Sequence, residues 1–405
     1  MRTHLFLYLL VLSLSIDLSS QSSAIDDPMD LRNHDFDTDP IISLDGQWSY
    51  ADSCLYPSEC NPTISVDVPN VRLDEMGFPS FGYGTFYLEF IVDHELPLML
   101  KVFDQFSAYE VYVNGELIGN VGVSGPDKES TTPGRQMLYL PLHDLSSDTV
   151  RLAIAISNFS HHKRGVGGKV LLGLEKAVLH QKFLDDSYDM FLTGFLILAT
   201  FFFLGLFFNG RQDYAILYFA LFTLVYAYRI VGWHNYVLHD MINIPYRLGL
   251  IFEYSTFYLS GAFFAMYLEK LFPHEAPRVL TRIFAYLSIA WTFSTLLPVQ
   301  ILTQFNIPYL YILLVGIFLM VGILIKAVLN KRPGARYSLY SVMGVLAVFI
   351  FKSLNYLHVV EENRLVSIAG ELIFFIFQAL ILSRIFTENW RQAKLEAEQL
   401  AVAKS

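Results

Sequence analysis

The chain has 405 residues, of which 54% are hydrophobic and only 16% are charged, with a mean hydropathy of +0.41 and a formal net charge of −10. Soluble globular proteins usually carry about 25% charged residues, so this composition excludes a disordered chain, a fibrous repeat and a simple cytosolic enzyme. The charge is unevenly divided: residues 25–185 hold 24 acidic and 11 basic residues, whereas residues 186–405 hold 13 acidic and 16 basic ones. The sequence therefore predicts an acidic first half and an apolar, mildly basic second half.

The N-terminus has the layout of a secretory signal peptide over residues 1–24. Arg2 precedes the apolar run Leu5–Ile16, which is too short to span a bilayer, and small residues follow up to Ala24. An additional membrane anchor is the alternative interpretation. Cys54 and Cys60 both lie in the segment that would be exported, where an oxidising compartment favours a disulfide over two free thiols.

Residues 25–185 are predicted to form an antiparallel β-sandwich. Short runs of β-branched and aromatic residues recur at sandwich-like intervals, and no helix-length periodic segment interrupts them. The predicted strands are Ile41–Leu44, Thr85–Val92, Pro97–Phe103, Tyr109–Val113, Met137–Leu142, Val150–Ile156 and Val170–Leu174. Asn114-Gly115 indicates a two-residue hairpin after the fourth of these strands. The aspartate-rich residues 26–39 match no calcium loop and are expected to be a solvated linker.

Four motifs follow one another in this half. They are Leu44-Asp45-Gly46-Gln47-Trp48, Val68-Pro69, Gly82-Tyr83-Gly84-Thr85-Phe86-Tyr87 and Val111-Tyr112-Val113-Asn114-Gly115, with Gly119 and Gly122 behind them. This series resembles the galactose-binding-like jelly roll, including the non-catalytic sugar-binding domain of the β-galactosidase family. The resemblance implies a jelly-roll fold and a carbohydrate ligand. Trp48 and Phe86 are expected in the core rather than on a sugar-binding surface.

A basic group, His161-His162-Lys163-Arg164, stands out in the acidic half. Two interpretations remain open for His161, His162 and Arg164: a loop that contacts a ligand, or an exposed and solvated loop. Asn158-Phe159-Ser160, directly before it, is a glycosylation sequon.

The second half contains seven apolar stretches of a length that spans a bilayer. They are Met190–Phe208, Ala215–Trp233, Leu248–Leu268, Ile283–Val299, Tyr309–Leu329, Leu339–His358 and Ser367–Phe386. With the first half outside, the inner loops carry seven Lys and Arg residues and the outer loops carry only Arg247 and Arg364. This positive-inside bias predicts a multi-pass protein of the bacterial inner membrane, with an exported N-terminal domain and a cytoplasmic C-terminus.

A signal peptide, a jelly roll, seven spans and a helical exit, in this order, resemble the bacterial seven-transmembrane receptors with diverse intracellular signalling modules. The segments of the sequence give the predicted domains: residues 1–24 (signal peptide), 25–185 (sandwich sensor), 186–386 (seven-span domain) and 387–405 (cytoplasmic helical stub). In that family the last helix usually leads into a kinase, cyclase or phosphatase domain. Because the sequence ends at Ser405 and lacks the His-Glu-x-x-His, Gly-x-Ser-x-Gly and phosphate-loop motifs, we expect no enzymatic activity, cofactor or metal in this chain.

Four ionisable residues lie inside the predicted spans: Arg229, Glu253, Lys352 and Glu371. At a rise of about 1.5 Å per residue, each is roughly 6–9 Å inside the outer end of its span. Asn355 is one helical turn from Lys352. Charged side chains at this depth pair with one another or line a functional cavity. Two interpretations follow: a neutral ion-pair network that stabilises the bundle, or a polar pocket that binds a ligand or couples the sandwich to the helices.

The segment after the last span has an apolar repeat at Phe386, Trp390, Ala393, Ala397 and Leu400. The spacing is that of a heptad seam, but it covers only about two heptads. If two copies pack along this heptad seam, the protein is a homodimer in which movement of the helices signals to a cytoplasmic effector. An ordinary amphipathic membrane-exit helix is the alternative.

Together these features predict a membrane receptor. Its exported domain would bind a small, carbohydrate-like ligand or a periplasmic partner, and the helices would relay binding to a cytoplasmic signalling effector. Nucleic acid is not expected as a partner. The alternative is a non-signalling protein, either a transport component or an envelope adhesin anchored by the bundle.

Overall fold

The computed structural model describes residues 28–404, except 70–72, 74–75, 144, 146, 163–164, 167, 210–211, 234 and 357–363. Over parts of the last two helices, including Lys352 and Asn355, only the backbone is described. The predicted signal peptide, Lys163 and Arg164 lie outside the described residues. A β-sandwich forms the first part of the molecule and a helical bundle the second, which confirms the predicted fold class.

Two sheets build the sandwich. The strands are β1 (Met29–Asp30), β2 (Ile41–Ser43), β3 (Gly46–Asp52), β4 (Ile64–Val68), β5 (Gly82–Ile91), β6 (Leu98–Val102), β7 (Ala108–Val113), β8 (Glu116–Val121), β9 (Leu138–Leu142), β10 (Thr149–Asn158) and β11 (Val170–Leu174). One sheet has the order β4-β3-β5-β10-β7-β8, with β1 added in parallel to β5, and the other has the order β2-β11-β6-β9. All remaining pairs are antiparallel.

The sandwich core is formed by the alternating inward residues of both sheets. Trp48 and Phe86 are each 1% exposed, which confirms their prediction as core residues. Asn114 (φ 51°) and Gly115 (φ 87°) make the predicted hairpin between β7 and β8, because a two-residue turn of this hand needs two residues with positive φ. Cys54 and Cys60 form the predicted disulfide.

The first described residues are part of the sandwich rather than a solvated linker. Leu31 and Phe36 are 6% and 5% exposed and pack into the core, while β1 pairs with the end of β5. The prediction failed here because the two apolar side chains are surrounded by aspartates in the sequence. Strands β3 and β4 were missed for a similar reason: polar residues alternate with Trp48 and Val66, as expected for a sheet with one solvated face.

The bundle follows without a linker. Its helices are α1 (Glu175–Asn209), α2 (Tyr214–Val231), α3 (Val237–Met241), α4 (Tyr246–Leu271), α5 (Arg278–Thr292) with a 3-10 turn (Phe293–Leu296), α6 (Val299–Leu329), α7 (Ala335–Tyr356) and α8 (Arg364–Lys404). Each predicted span coincides with one of the long helices, the fourth including the 3-10 turn. Among the described residues, five segments are long and apolar enough to cross a membrane: Glu175–Asn209, Tyr214–Val231, Arg278–Leu296, Val299–Leu329 and Leu365–Arg384. Helices α4 and α7 have 26 and 22 residues, which is also long enough to cross a membrane.

Strand and helix are continuous where the two parts meet. β11 pairs with β2 and β6, and α1 begins at the next residue, Glu175, whose N–H donates to the carbonyl of Pro97 at 2.8 Å. The proposed boundary between residues 185 and 186 therefore falls inside α1. At the other end of the chain, α8 runs without interruption across the proposed boundary at residue 386.

Candidate functional site: the interface between the sandwich and the helices

A buried polar cluster joins the sandwich to the bundle. We call it the Arg135 cluster; its members are Asp104 and Arg135 from the sandwich and Tyr236 and Glu253 from the bundle. Arg135 Nε donates to Asp104 Oδ2 at 3.2 Å, and its two terminal nitrogens donate to Glu253 Oε2 and to the Tyr236 hydroxyl. The Tyr236 hydroxyl in turn donates to Asp104 Oδ2 at 3.1 Å. A single guanidinium is thus held by groups from both parts of the molecule.

Burial makes the pairing in this cluster strong. The side chains of Arg135 and Asp104 are only 5% and 4% exposed. Burial raises the pKa of the Asp104 carboxyl, although Arg135 and the Tyr236 hydroxyl oppose this shift. Burial alone would lower the pKa of Arg135, but Glu253, Tyr236 and Asp104 raise it well above its usual value. The guanidinium therefore stays charged, and it depends on both carboxylates because unpaired buried charges are costly.

Local backbone structure places each member of the cluster. Asp104 follows the end of β6 and accepts a hydrogen bond from the N–H of Phe106 at 3.2 Å, which shapes the following turn. Arg135 lies in the loop before β9. Tyr236 has φ 53° and precedes α3, and its ring lies under the Arg135 guanidinium at 4.9 Å. Glu253 is two turns into α4, so its carboxylate is reached by a loop of the sandwich that enters the end of the bundle.

The histidine pair singled out in the sequence forms a second contact at this interface. The ring of His161 stacks on Phe106 with centroids 4.9 Å apart, and His161 is only 6% exposed. The N–H of His162 donates to the hydroxyl of Thr303 in α6 at 3.2 Å. The interpretation of His161 as an exposed, solvated residue is therefore wrong, because its ring is buried against Phe106. Arg164 lies outside the described residues.

Asn158 holds this loop in shape and is not available to a glycan. Its Oδ1 accepts the N–H of His161 at 2.8 Å and its Nδ2 donates to the His161 carbonyl at 2.8 Å. The side chain is 1% exposed. Glycosylation of the sequon would require this loop to open.

Further polar contacts extend the interface on both sides of the Arg135 cluster. The hydroxyl of Tyr246, the first residue of α4, donates to the carbonyl of Phe106 at 3.0 Å. Lys182 in α1 pairs with Asp186 at 2.9 Å and with Asp240 of α3 at 3.0 Å. These contacts bind the sandwich, α1, α3 and α4 to one another.

Two of the predicted intramembrane residues, Glu253 and Arg229, lie at this interface. The Glu253 carboxylate is bound by Arg135, a residue of the sandwich. Arg229 Nη1 donates to the backbone carbonyl of Glu253 at 3.3 Å, and its guanidinium packs on the rings of Trp233 and Phe257. Arg229 and Glu253 are therefore brought together, as neighbours on α2 and α4.

The other predicted residues lie on the last two helices. Glu371 of α8 is 6% exposed and lies beside the hydroxyl of Tyr226 in α2. The side chains of Lys352 and Asn355 are outside the described residues, so their place relative to this group stays a prediction.

Asp104, Arg135 and Tyr236 were missed by the sequence reasoning. Arg135 is one of 11 basic residues in the acidic half, and its place after Pro133-Gly134 gives no sign of its partners. Its partners are 31, 101 and 118 residues away along the chain. Only the folded arrangement of sandwich and bundle brings them together.

A candidate metal-binding group lies elsewhere, on the sandwich surface. Ligand atoms of Asp93, His94 and Asp148 are within 4.8 Å of one another, and all three residues are exposed. His94 Nδ1 lies 2.6 Å from Asp148 Oδ1, and this hydrogen bond raises the pKa of His94. The arrangement is a surface hydrogen bond between an imidazole and a carboxylate, and nothing further connects it to the interface.

Helix α4 links the Arg135 cluster to the opposite end of the bundle. Glu253 is near its start, and Tyr267 is 14 residues further on, about 21 Å along the helix axis. The hydroxyl of Tyr267 donates to Gln378 of α8 at 2.9 Å, and Gln378 is itself bonded to Ser341 of α7 at 2.7 Å. One helix thus contacts the sandwich at one end and the final helix at the other.

Fold and interface together define a multi-pass membrane protein whose N-terminal β-sandwich is docked onto one end of a helical bundle. Residues 185–388, about half of the chain, match the family described as 7TM diverse intracellular signalling, and the chain belongs to that family. This confirms the family suspected from the sequence and makes the protein a member of a membrane signalling family. No curated protein matches the chain.

Solved structures similar to part of the chain are glycoside-cleaving enzymes. A GH2 β-galacturonidase from Eisenbergiella tayi is 15% identical over 33% of this chain and 24% of its own, with a TM-score of 0.25. The β-glucuronidase of Lactobacillus rhamnosus is 14% identical over 33% of this chain and 28% of its own, with a TM-score of 0.27. The β-glucuronidase of Ruminococcus gnavus is 13% identical over 38% of this chain and 31% of its own, with a TM-score of 0.26. The chain thus covers about a quarter to a third of these enzymes, and at these scores the likeness carries no argument about activity.

Proposed function

We propose that the protein is a transmembrane receptor in which the Arg135 cluster couples an exported sandwich to the helices. One observation carries the proposal: Arg135, in a loop of the sandwich, is buried and bonded to Glu253 of α4 and to Tyr236 in the connection before α3. A movement of its loop must move α4 or break a buried charge pair. Such a pair has two discrete states, formed and broken, which is what transmission between distant sites requires.

The ligand that we propose is a small carbohydrate-like molecule bound by the sandwich. This part of the proposal rests on the sequence resemblance to sugar-binding jelly rolls. A periplasmic partner protein is the other source of a signal. The proposed topology follows the loop charges: the end of the bundle at which the sandwich docks carries Arg247, whereas Arg278, Arg282 and Arg332 lie at the other end. The sandwich would then face the periplasm and the end of α8 the cytoplasm, where an effector binds.

The output that we propose is a change at the far end of α8. Tyr267 and Gln378 connect α4 to α8 near the predicted inner surface. Residues 387–404 continue α8 beyond the predicted span. A homodimer through the predicted seam of Phe386, Trp390, Ala393, Ala397 and Leu400 would bring two such helices together, and their relative motion would be the signal to the effector.

The test uses the full-length chain in lipid nanodiscs with a panel of neutral monosaccharides and uronic acids as probes. A bound probe raises the unfolding midpoint, since ligand at 100 times its Kd stabilises the folded state by about 2.7 kcal/mol. We expect a probe that does so to change hydrogen exchange in peptides of α8. A probe that binds without any change beyond the sandwich supports the adhesin alternative. Uptake of the probe into proteoliposomes supports the transport alternative.

A further inference from the structure

A cavity at the end of the bundle opposite the sandwich has a lining that is apolar on one side and charged on the other. It has a volume of about 380 Å³, within the range of about 300–1,000 Å³ that is usual for small-molecule sites. Phe318, Gly322 and Lys326 of α6 line it at intervals of one helical turn, and the loop between α4 and α5 contributes His274 and Glu275. It lies at the level where α4 and α6 leave the predicted membrane.

Glu275 is the chemically unusual residue of this cavity. It is 2% exposed, and its Oε1 accepts hydrogen bonds from Arg332 at 2.6 Å and from Asn330 at 3.1 Å. Its Oε2 is buried and has no hydrogen-bond partner among the described residues. Burial raises the pKa of this carboxyl, but the bonds from Arg332 and Asn330 outweigh burial and leave the pKa below its usual value. An ionised oxygen that lacks a donor favours a ligand that brings one.

The other residues that line the cavity suit a ligand with a charged head and an apolar chain. Lys326 makes no ion pair within the described residues, and it lies on the same face of α6 as Gly322 and Phe318. Phe318 is 69% exposed, and a Cβ added at Gly322 would meet nothing within 4 Å. The helix surface therefore has a gap beside an exposed ring. Such a gap accommodates an acyl chain that runs from Lys326 towards the middle of the membrane.

We propose that this cavity binds a phospholipid with a primary ammonium headgroup, phosphatidylethanolamine. Its ammonium would donate to Glu275 Oε2, its phosphate would pair with Lys326 and His274, and one acyl chain would pass Gly322. Phosphatidylglycerol offers only neutral hydroxyl donors, and its uncompensated phosphate adds a negative charge near Glu275. The quaternary ammonium of phosphatidylcholine carries no N–H, so it leaves Oε2 without a hydrogen bond.

Native mass spectrometry of the full chain tests the proposal. The detergent-solubilised protein is titrated with phosphatidylethanolamine, phosphatidylcholine and phosphatidylglycerol of identical acyl chains. We expect phosphatidylethanolamine to be retained about tenfold better than phosphatidylcholine, because a hydrogen bond to a charged group has that order of effect. Glu275→Gln should reduce this ratio to about twofold or less. Equal retention of the three lipids, or stronger retention of phosphatidylglycerol, would overturn the proposal.

A second variant keeps the test decisive if Glu275→Gln fails to fold because it loses its bond to Arg332. Gly322→Leu fills the gap on the outer face of α6 and should weaken all three lipids about tenfold. Gly194→Leu is the matched control, since Gly194 in α1 is also exposed and has no atom within 4 Å of an added Cβ. Unchanged binding in Gly322→Leu, or an equal loss in Gly194→Leu, contradicts the site.

Discussion

Replacing Arg135 by alanine should uncouple the sandwich from the bundle and destabilise both. The change removes the base that is bonded to Asp104, Tyr236 and Glu253, and it leaves two buried carboxylates without a positive partner. Breaking a buried ion pair from one side costs about 3–5 kcal/mol. Since 1 kcal/mol shifts the midpoint of a domain of this size by about 2–4 °C, a fall of roughly 10 °C is expected.

The assay is thermal unfolding of the full chain in nanodiscs, followed by intrinsic fluorescence. Arg151→Ala is the matched control, because the pair of Arg151 with Glu89 has a similar distance of 3.2 Å but side chains that are 76% and 42% exposed. An exposed pair contributes about 0–1 kcal/mol, so this control should shift the midpoint by no more than about 4 °C. Equal shifts in the two variants would show that the buried Arg135 contacts stabilise the fold no more than an exposed ion pair does.

A double-mutant cycle separates pairing from packing. Glu253→Gln and Arg135→Met together remove both charges while keeping side chains of similar length. Residues in direct contact show interaction energies of about 0.5–3 kcal/mol, so the double variant should be less destabilised than the sum of the two single variants. Strict additivity would mean that Arg135 and Glu253 do not act as a pair.

Three further predictions follow from separate features. Reduction of the Cys54–Cys60 disulfide should lower the free energy of unfolding by about 2 kcal/mol, because the bond closes a loop with a sequence separation of 6 and so restricts the unfolded chain. An equal unfolding midpoint with and without reductant would contradict this. Gly316→Ala would place a methyl group 2.2 Å from the ring of Phe284, so it should lower the stability of the α5–α6 packing by about 1–3 kcal/mol in the same assay, whereas Gly194→Ala should not. The hydrogen bond between His94 and Asp148 raises the pKa of His94 above 6.5 and lowers the pKa of Asp148 below 3.8. The pair therefore stabilises the fold fully between pH 3.8 and pH 6.5. This contribution is lost as the pH rises through the pKa of His94 or falls through the pKa of Asp148. A histidine NMR titration checks this, and an unchanged His94 pKa in Asp148→Asn would be the contrary result.

Much of the architecture could be read from the sequence because membrane spans and sandwich strands leave strong local patterns. Apolar stretches of bilayer length predicted the positions of the long helices in the described part of the chain, and the Asn114-Gly115 dipeptide predicted a hairpin that the backbone confirms. Local patterns were weaker where polar residues surround a few buried ones. Leu31 and Phe36 were therefore assigned to a linker although they are part of the core.

Only about half of the candidate site could be predicted from the sequence. Glu253 and Arg229 were recognisable because a charge inside an apolar stretch is costly and needs a reason. Their partners were not recognisable, since Asp104 and Arg135 are ordinary charged residues of an acidic, β-rich domain. The chemistry arises from a contact between residues 118 positions apart, and no periodicity or spacing encodes such a contact. His161 illustrates the same limit, because a basic run gives no sign that its ring packs on Phe106.

Hydrogen exchange of the full chain in nanodiscs shows whether the Arg135 cluster couples the sandwich to the helices. Wild type, Arg135→Ala and the control Arg151→Ala are compared at a temperature where all three are folded. We expect Arg135→Ala to increase exchange at the start of α4 and also in α8, through the Tyr267–Gln378 contact, while Arg151→Ala changes neither. Increased exchange confined to the loops of the sandwich, with α4 and α8 unchanged, would contradict this coupling.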